Sequence, residues 1–166
     1  MKIALVVLLF AASAFGQDSS AVATAACGPK DASFIVNLDK SQHSLVQPEP
    51  GKARVYFIQE KGVDHFILLT KIGLDGAWVG ADKNSSYFSV SVEPGEHHAC
   101  ASVQSHLGHP VGLVHFRAEA GKVYYFNARV IYDIDAAAYL FLGAVDSDQA
   151  KYQIASFPLS ISTPKK

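Results

Sequence analysis

Five of the seven histidines fall within nineteen positions: His97, His98, His106, His109 and His115, with Cys100 among them. Imidazole and thiolate are the usual protein ligands of zinc and copper. On an extended strand His98 and Cys100 share one face and His97 points to the other. His106 and His109 follow in a loop able to fold back, so His98, His106 and His109 are the candidate metal ligands. The plainer reading is surface histidine on a half-exposed strand and loop. A cystine would remove Cys100 from any ligand set, and the spacing matches no established pattern. Trp78, the single tryptophan, sits beside a hairpin signal. It is a candidate ligand-binding residue that would stack on a sugar ring, against the plainer role of core or rim anchor.

Other chemistry has little support. The chain has no Gly-x-Ser-x-Gly elbow, no His-Glu-x-x-His, no phosphate loop and no dinucleotide fingerprint. Asp133 with Asp135, and Asp146 with Asp148, are paired carboxylates able to bind calcium or do acid–base work. Such pairs are more often turn residues or partners of a helix dipole. The expectation is a non-enzymatic protein without a cofactor.

The elements that would position these residues begin after an export signal. Lys2, the apolar run Ile3–Phe10 and the small residues of Ala14-Phe15-Gly16 give residues 1–16 the pattern of a secretory signal cleaved before Gln17. The uncharged apolar stretch ends near Phe15, short of the ~20 residues a spanning helix needs. Cys27 lies too far past the apolar core, and beyond too polar a stretch, to suit lipidation. Fourteen lysines and arginines against fifteen acidic residues give −1, and loss of Lys2 with the signal gives −2. A nearly neutral chain offers no basic surface for nucleic acid. Cys27 and Cys100, an even count in an exported chain, predict one disulfide. Two buried free thiols are the alternative.

Residues 17–50 read as an N-terminal extension. Gln17–Ala26 is small and polar, a mobile leader, and Ala32–Leu38 alternates as a possible strand. The breaker cluster Gln47–Gly51 opens the main domain, residues 51–162. Strands are expected at Ala53–Gln59, His65–Ile72, Ala77–Gly80, Tyr87–Val92, Glu96–Val103, Val111–Ala118, Lys122–Ile131 and Ala138–Val145. Asp75-Gly76 and Glu93-Pro94-Gly95 supply turns. Ser147–Ala155 reads as a helix capped by Asp146 or Ser147. The fold class is all-β, an antiparallel β-sandwich of about eight strands with a short C-terminal helix. Val55–Ile58, Phe66–Leu69, Val123–Phe126 and Tyr139–Leu142 are apolar on both faces, so something must cover their outer side. The chain's own ends, around Phe34 or the Ser147–Ala155 helix with Phe157 and Leu159, are the favoured cover. A second subunit is the alternative.

Gly51–Phe57, then Asp75-Gly76-Ala77-Trp78-Val79-Gly80, Ser86-Tyr87-Phe88, Glu93-Pro94-Gly95-Glu96-His97 and Ala120–Tyr125 follow one another in an order that resembles a bacterial exported family, domain of unknown function 2846. The likeness spans residues 51–145. The Asp-Gly hairpin followed by Pro-Gly-Glu-His is also similar to PEGA-type β-sandwich modules. The resemblance implies a β-sandwich at the cell envelope, periplasmic or extracellular, and brings no catalytic residues with it. The sequence therefore points to a binding or scaffolding module with an envelope protein or a glycan as partner, and with oligomers open to it. The alternative is a periplasmic metal-binding protein built on residues 97–115.

Overall fold

Turn chemistry fixes the first hairpin. Asp75 and Gly76 both hold positive φ, 51° and 81°, and Leu74 faces Ala77 across them. Aspartate and glycine tolerate the left-handed region that a two-residue hairpin loop demands. The computed structural model describes residues 19–29, 32–41, 45–60, 69–103, 110–132 and 138–165. Among them lie two helices and ten strands. The expected signal, residues 1–16, falls outside the described residues.

The helices are α1 (Ser19–Cys27) and α2 (Ser147–Ser156). The strands are β1 (Phe34–Asp39), β2 (Ala53–Gln59), β3 (Leu69–Leu74), β4 (Ala77–Lys83), β5 (Ser86–Val92), β6 (Gly95–Val103), β7 (Val111–Ala118), β8 (Val123–Tyr132), β9 (Ala138–Ala144) and β10 (Leu159–Pro164). One sheet has the order β1-β10-β5-β2-β8-β9 and the other β4-β3-β6-β7. Most neighbours are antiparallel, but β2 runs parallel to β8, and β10 meets β5 in a single parallel bridge, Leu159 to Tyr87. The all-β class holds. Ten strands stand where about eight were expected, and β10 is the strand that the sequence did not suggest.

The main core includes Val55 and Phe57 of β2, Ile72 of β3, Phe88 of β5, Ala99 and Ala101 of β6, Phe116 of β7, Phe126 of β8 and Leu140 and Leu142 of β9. Both sheets therefore direct one face into it. The sheets also meet at their margins. Ser160 Oγ donates to the Ala81 carbonyl (2.8 Å), and the Ala81 amide donates to Ser162 Oγ (3.1 Å). Side chains of β10 thereby hold the backbone of β4. At the opposite margin Gly112 lies against β9, where a β-carbon would come within 2.6 Å of the Leu140 carbonyl oxygen.

The doubly apolar strands have two different explanations. The outer residues Tyr56 and Ile58 of β2 and Tyr87 of β5 pack under Ala150 and Ile154 of α2, joined by Phe157 and Leu159. This is the cover expected from the C-terminal helix. Burying a side chain such as Ile154 contributes about 1.5–3 kcal/mol. Asp146 caps α2 by accepting from the Asp148 and Gln149 amides (2.9 and 3.3 Å). On β9, Leu140 and Leu142 are buried while Tyr139 (56% exposed) and Phe141 (49%) face outward. No described element covers them.

The expected mobile leader is instead helical from Ser19 to Cys27. Four alanines between Ala21 and Ala26 favour helix, and the far end is fastened. Cys27 forms the predicted disulfide with Cys100. The Gly76 amide donates to the Ala26 carbonyl (3.3 Å). Beyond α1 the extension runs into β1, which pairs antiparallel with β10 from Phe34 to Asp39. The extension is thus built into both sheets.

Candidate functional site

Alternation along β6 separates the chemistry-bearing residues. Ala99, Ala101 and Val103 enter the main core. Glu96, His98 and Cys100 occupy the opposite face, which is exposed at Glu96 and His98 and buried at Cys100 by α1. Strand β7 pairs with β6 so that Glu96 faces Arg117, His98 faces His115 and Cys100 faces Leu113.

His97 is held internally. Its Nδ1 lies 2.7 Å from Asp75 Oδ2 and its Nε2 lies 2.8 Å from the Glu93 carbonyl. The ring stacks on Phe116 with centroids 5.4 Å apart. Asp75 also accepts from the His98 amide through Oδ1 (2.9 Å). Two acceptors on one imidazole favour the doubly protonated cation, which donates from both nitrogens. Burial opposes the charge on His97, but the bonds to Asp75 and Glu93 outweigh it, and the pKa is raised above 6.5. Burial likewise opposes ionised Asp75, and the bonds from His97 and the His98 amide outweigh it, so its pKa is lowered below 3.8. This pair clamps the β3–β4 hairpin to the β5–β6 turn. With both nitrogens engaged, His97 has no lone pair for a metal and no free nitrogen for proton transfer.

His98 and His115 lie on the exposed face with ring centroids 4.7 Å apart. His115 Nε2 lies 2.9 Å from Glu96 Oε2, and Arg117 Nη1 donates to Glu96 Oε1 at 3.0 Å. The sequence reading placed His98 with His106 and His109. Those two lie outside the described residues, and the partner that the fold gives His98 is His115. Strand β6 continues past His98 to Ser102, which pairs with Val111. The His98–His115 rung stands four residues back from that pair, roughly 14 Å by strand rise. Among the described residues, no group of three or more His, Cys, Asp or Glu side chains is placed to hold a metal ion. The periodicity at position 98 was readable, but the register that brings up His115 was not.

Trp78 serves the N-terminal strap. Its Nε1 donates to the Pro29 carbonyl. Lys71 Nζ stands 4.5 Å from the ring centroid and donates to the Ala32 carbonyl (3.0 Å). The ring also packs against Ala26, Cys27 and Cys100. One ring face is therefore covered by Lys71 and the N–H is occupied.

Of the paired carboxylates, Asp146 caps α2, and Asp148 lies 3.4 Å from Lys151. Asp133 and Asp135 lie outside the described residues. A second polar cluster was not foreseen. Glu60 Oε1 accepts from Asn127 Nδ2 and Gln153 Nε2, both at 2.6 Å, where α2 meets the sheet. Asp82 is fully buried, and one of its oxygens, Oδ2, has no hydrogen-bond partner.

No family model matches the chain, and no curated protein matches it. Among solved structures, the NMR structure of a protein from Eubacterium rectale is similar at 15% identity with a TM-score of 0.37, covering 59% of this chain and 94% of that one. No helix among the described residues is long and apolar enough to cross a membrane.

Proposed function

We propose that this chain is an exported, non-enzymatic β-sandwich that binds or scaffolds a component of the bacterial cell envelope. The observation that carries the reading is the Cys27–Cys100 disulfide, which fastens the N-terminal strap across the sheet. Cystines persist in oxidising compartments and are rare in the cytosol. The signal pattern of residues 1–16 supports the same address, as does the resemblance of residues 51–145 to an exported family. The face that would meet a partner is the outer side of β8 and β9. Ile131, Tyr139 and Phe141 are exposed there, with the Arg129 guanidinium 6.0 Å from the Phe141 ring. Aromatic residues and arginine are enriched where protein interfaces carry most of their energy.

Fractionation of the native host tests the address. The chain is expected outside the cytoplasm, beginning at Gln17, with no free thiol. An intact Met1 and two alkylatable cysteines would sink the export. Photo-crosslinking from position 141 tests the face. A discrete adduct in the envelope fraction, absent when the crosslinker stands at Glu119, supports it. Identical patterns from both positions would remove it.

A second reading, metal handling, is favoured by one observation, the pairing of His98 with His115.

A further inference from the structure

We propose that His98 and His115 form a two-imidazole site for a divalent transition-metal ion of the zinc, copper or nickel kind, with Glu96 as its outer carboxylate. The inference rests on the metal-handling reading, to which it gives a defined site, and is independent of the binding-module reading. The two histidines occupy one rung of the β6–β7 ladder and project from the exposed face. A hydrated ion can reach them from solvent. Two imidazoles bound to one ion through bonds of about 2.0–2.1 Å, at an angle between roughly 90° and 110°, place their ring centroids about 4.5–5 Å apart. The observed separation is 4.7 Å.

Glu96 decides which nitrogen is available. Its Oε2 lies 2.9 Å from His115 Nε2. A carboxylate there accepts the Nε2–H, and the neutral ring then carries its lone pair on Nδ1. A histidine whose second nitrogen is held by a carboxylate is the usual arrangement of a metal-ligating imidazole. Arg117 Nη1 donates to Glu96 Oε1 (3.0 Å) and holds that carboxylate in orientation. No hydrogen bond to a described residue fixes the His98 ring. Turning about its Cβ–Cγ bond brings one of its nitrogens toward the same ion. The neighbouring candidate ligands are engaged elsewhere: His97 by Asp75 and Glu93, and Cys100 by Cys27. With two protein ligands, water completes the coordination sphere, and imidazole suits zinc, copper and nickel alike.

Calorimetric titration of the untagged chain, purified without reductant, with zinc and then copper tests the site. Wild type is expected to bind one ion. His98→Ala and His115→Ala should each weaken binding at least about tenfold, and Glu96→Gln by about tenfold, the usual effect of losing an outer partner. All three positions are exposed, and unchanged far-ultraviolet circular dichroism with an intact disulfide mass confirms that each variant folds. Wild-type affinity in His115→Ala overturns the site. If binding is then lost in His106→Ala or His109→Ala, the metal-handling reading survives without it. An absence of binding by wild type removes both.

Discussion

Gly73 lies directly beneath Cys27: a β-carbon on Gly73 would sit 2.5 Å from the Cys27 carbonyl oxygen and 2.6 Å from its α-carbon. Gly73 is also the register partner of Cys100. The disulfide therefore crosses from the strap to the sheet over a residue without a side chain. A register shift between Ile72 and Gly73 marks the same point in the β3–β4 pairing.

Gly73→Ala should prevent the strap from seating. The clash is with backbone, which cannot rotate away, and overpacking of this kind costs about 1–3 kcal/mol. Urea denaturation is expected to show that loss, and alkylation without reductant to show a rising fraction of free thiol. Wild-type stability with a full disulfide would mean that the strap can shift without penalty.

Reducing the disulfide, or replacing Cys27 and Cys100 together by alanine, should cost about 4 kcal/mol in the chain-entropy account for so long a loop, the two cysteines being 73 positions apart. Trp78 reports the change locally. Its ring packs on Cys27 and Cys100 and its N–H is held by Pro29, so its emission should move to longer wavelength on reduction as the strap loosens. Unchanged emission after complete reduction would mean that the strap is held by its other contacts alone.

The His97–Asp75 clamp makes stability depend on pH in a direction fixed by the two shifts. His97 is raised from 6.5, so its contribution is complete below that value and is lost as pH rises through the folded pKa. Asp75 is lowered from 3.8, so its contribution is complete above that value and is lost as pH falls through the folded pKa. The clamp is whole between these two reference values. Asp75→Asn keeps a residue that tolerates the positive φ of the turn and removes the charge. It should flatten the fall in stability above about pH 6.5. A slope identical to wild type would assign that fall to another group.

Asp82 acts in the opposite sense. Burial pushes its carboxyl well above 3.8, outweighing the hydrogen bond from Ser86. Its protonated form is favoured by folding, so the contribution is complete below 3.8 and is lost as pH rises through the folded pKa. Asp82→Asn has no proton to lose. It should resemble wild type near about pH 4 and be the more stable of the two near about pH 7. Denaturation midpoints at the two pH values check this, and a variant less stable at the higher pH would show that ionised Asp82 is accommodated.

The sequence by itself determined the local chemistry. Asp75-Gly76 specified its hairpin, since few residue pairs accept consecutive positive φ angles. Asp146 and Ser147 marked the start of α2 as side chains able to cap its backbone, and Asp146 is the one that does so. Two cysteines left one intramolecular pairing, and the doubly apolar β2 required a cover on each face. These are properties of neighbouring residues or of simple counts.

The tertiary structure alone decided what depended on register and on distant partners. Strand β10 has polar alternation too weak to announce itself, and it exists because β1 supplies its ladder and β4 takes hydrogen bonds with its serine side chains. Residues 19–26, small and polar in sequence, are helical beside a fastened strap. His98 met His115 because β6 and β7 pair in one register. A slip of one residue would send the two rings to opposite faces, since side chains alternate with a period of two. Trp78 became an anchor for the strap because Pro29 and Lys71 reach it across the fold. Spacing along the chain limits which residues can share a face, but only the pairing of strands determines which of them touch.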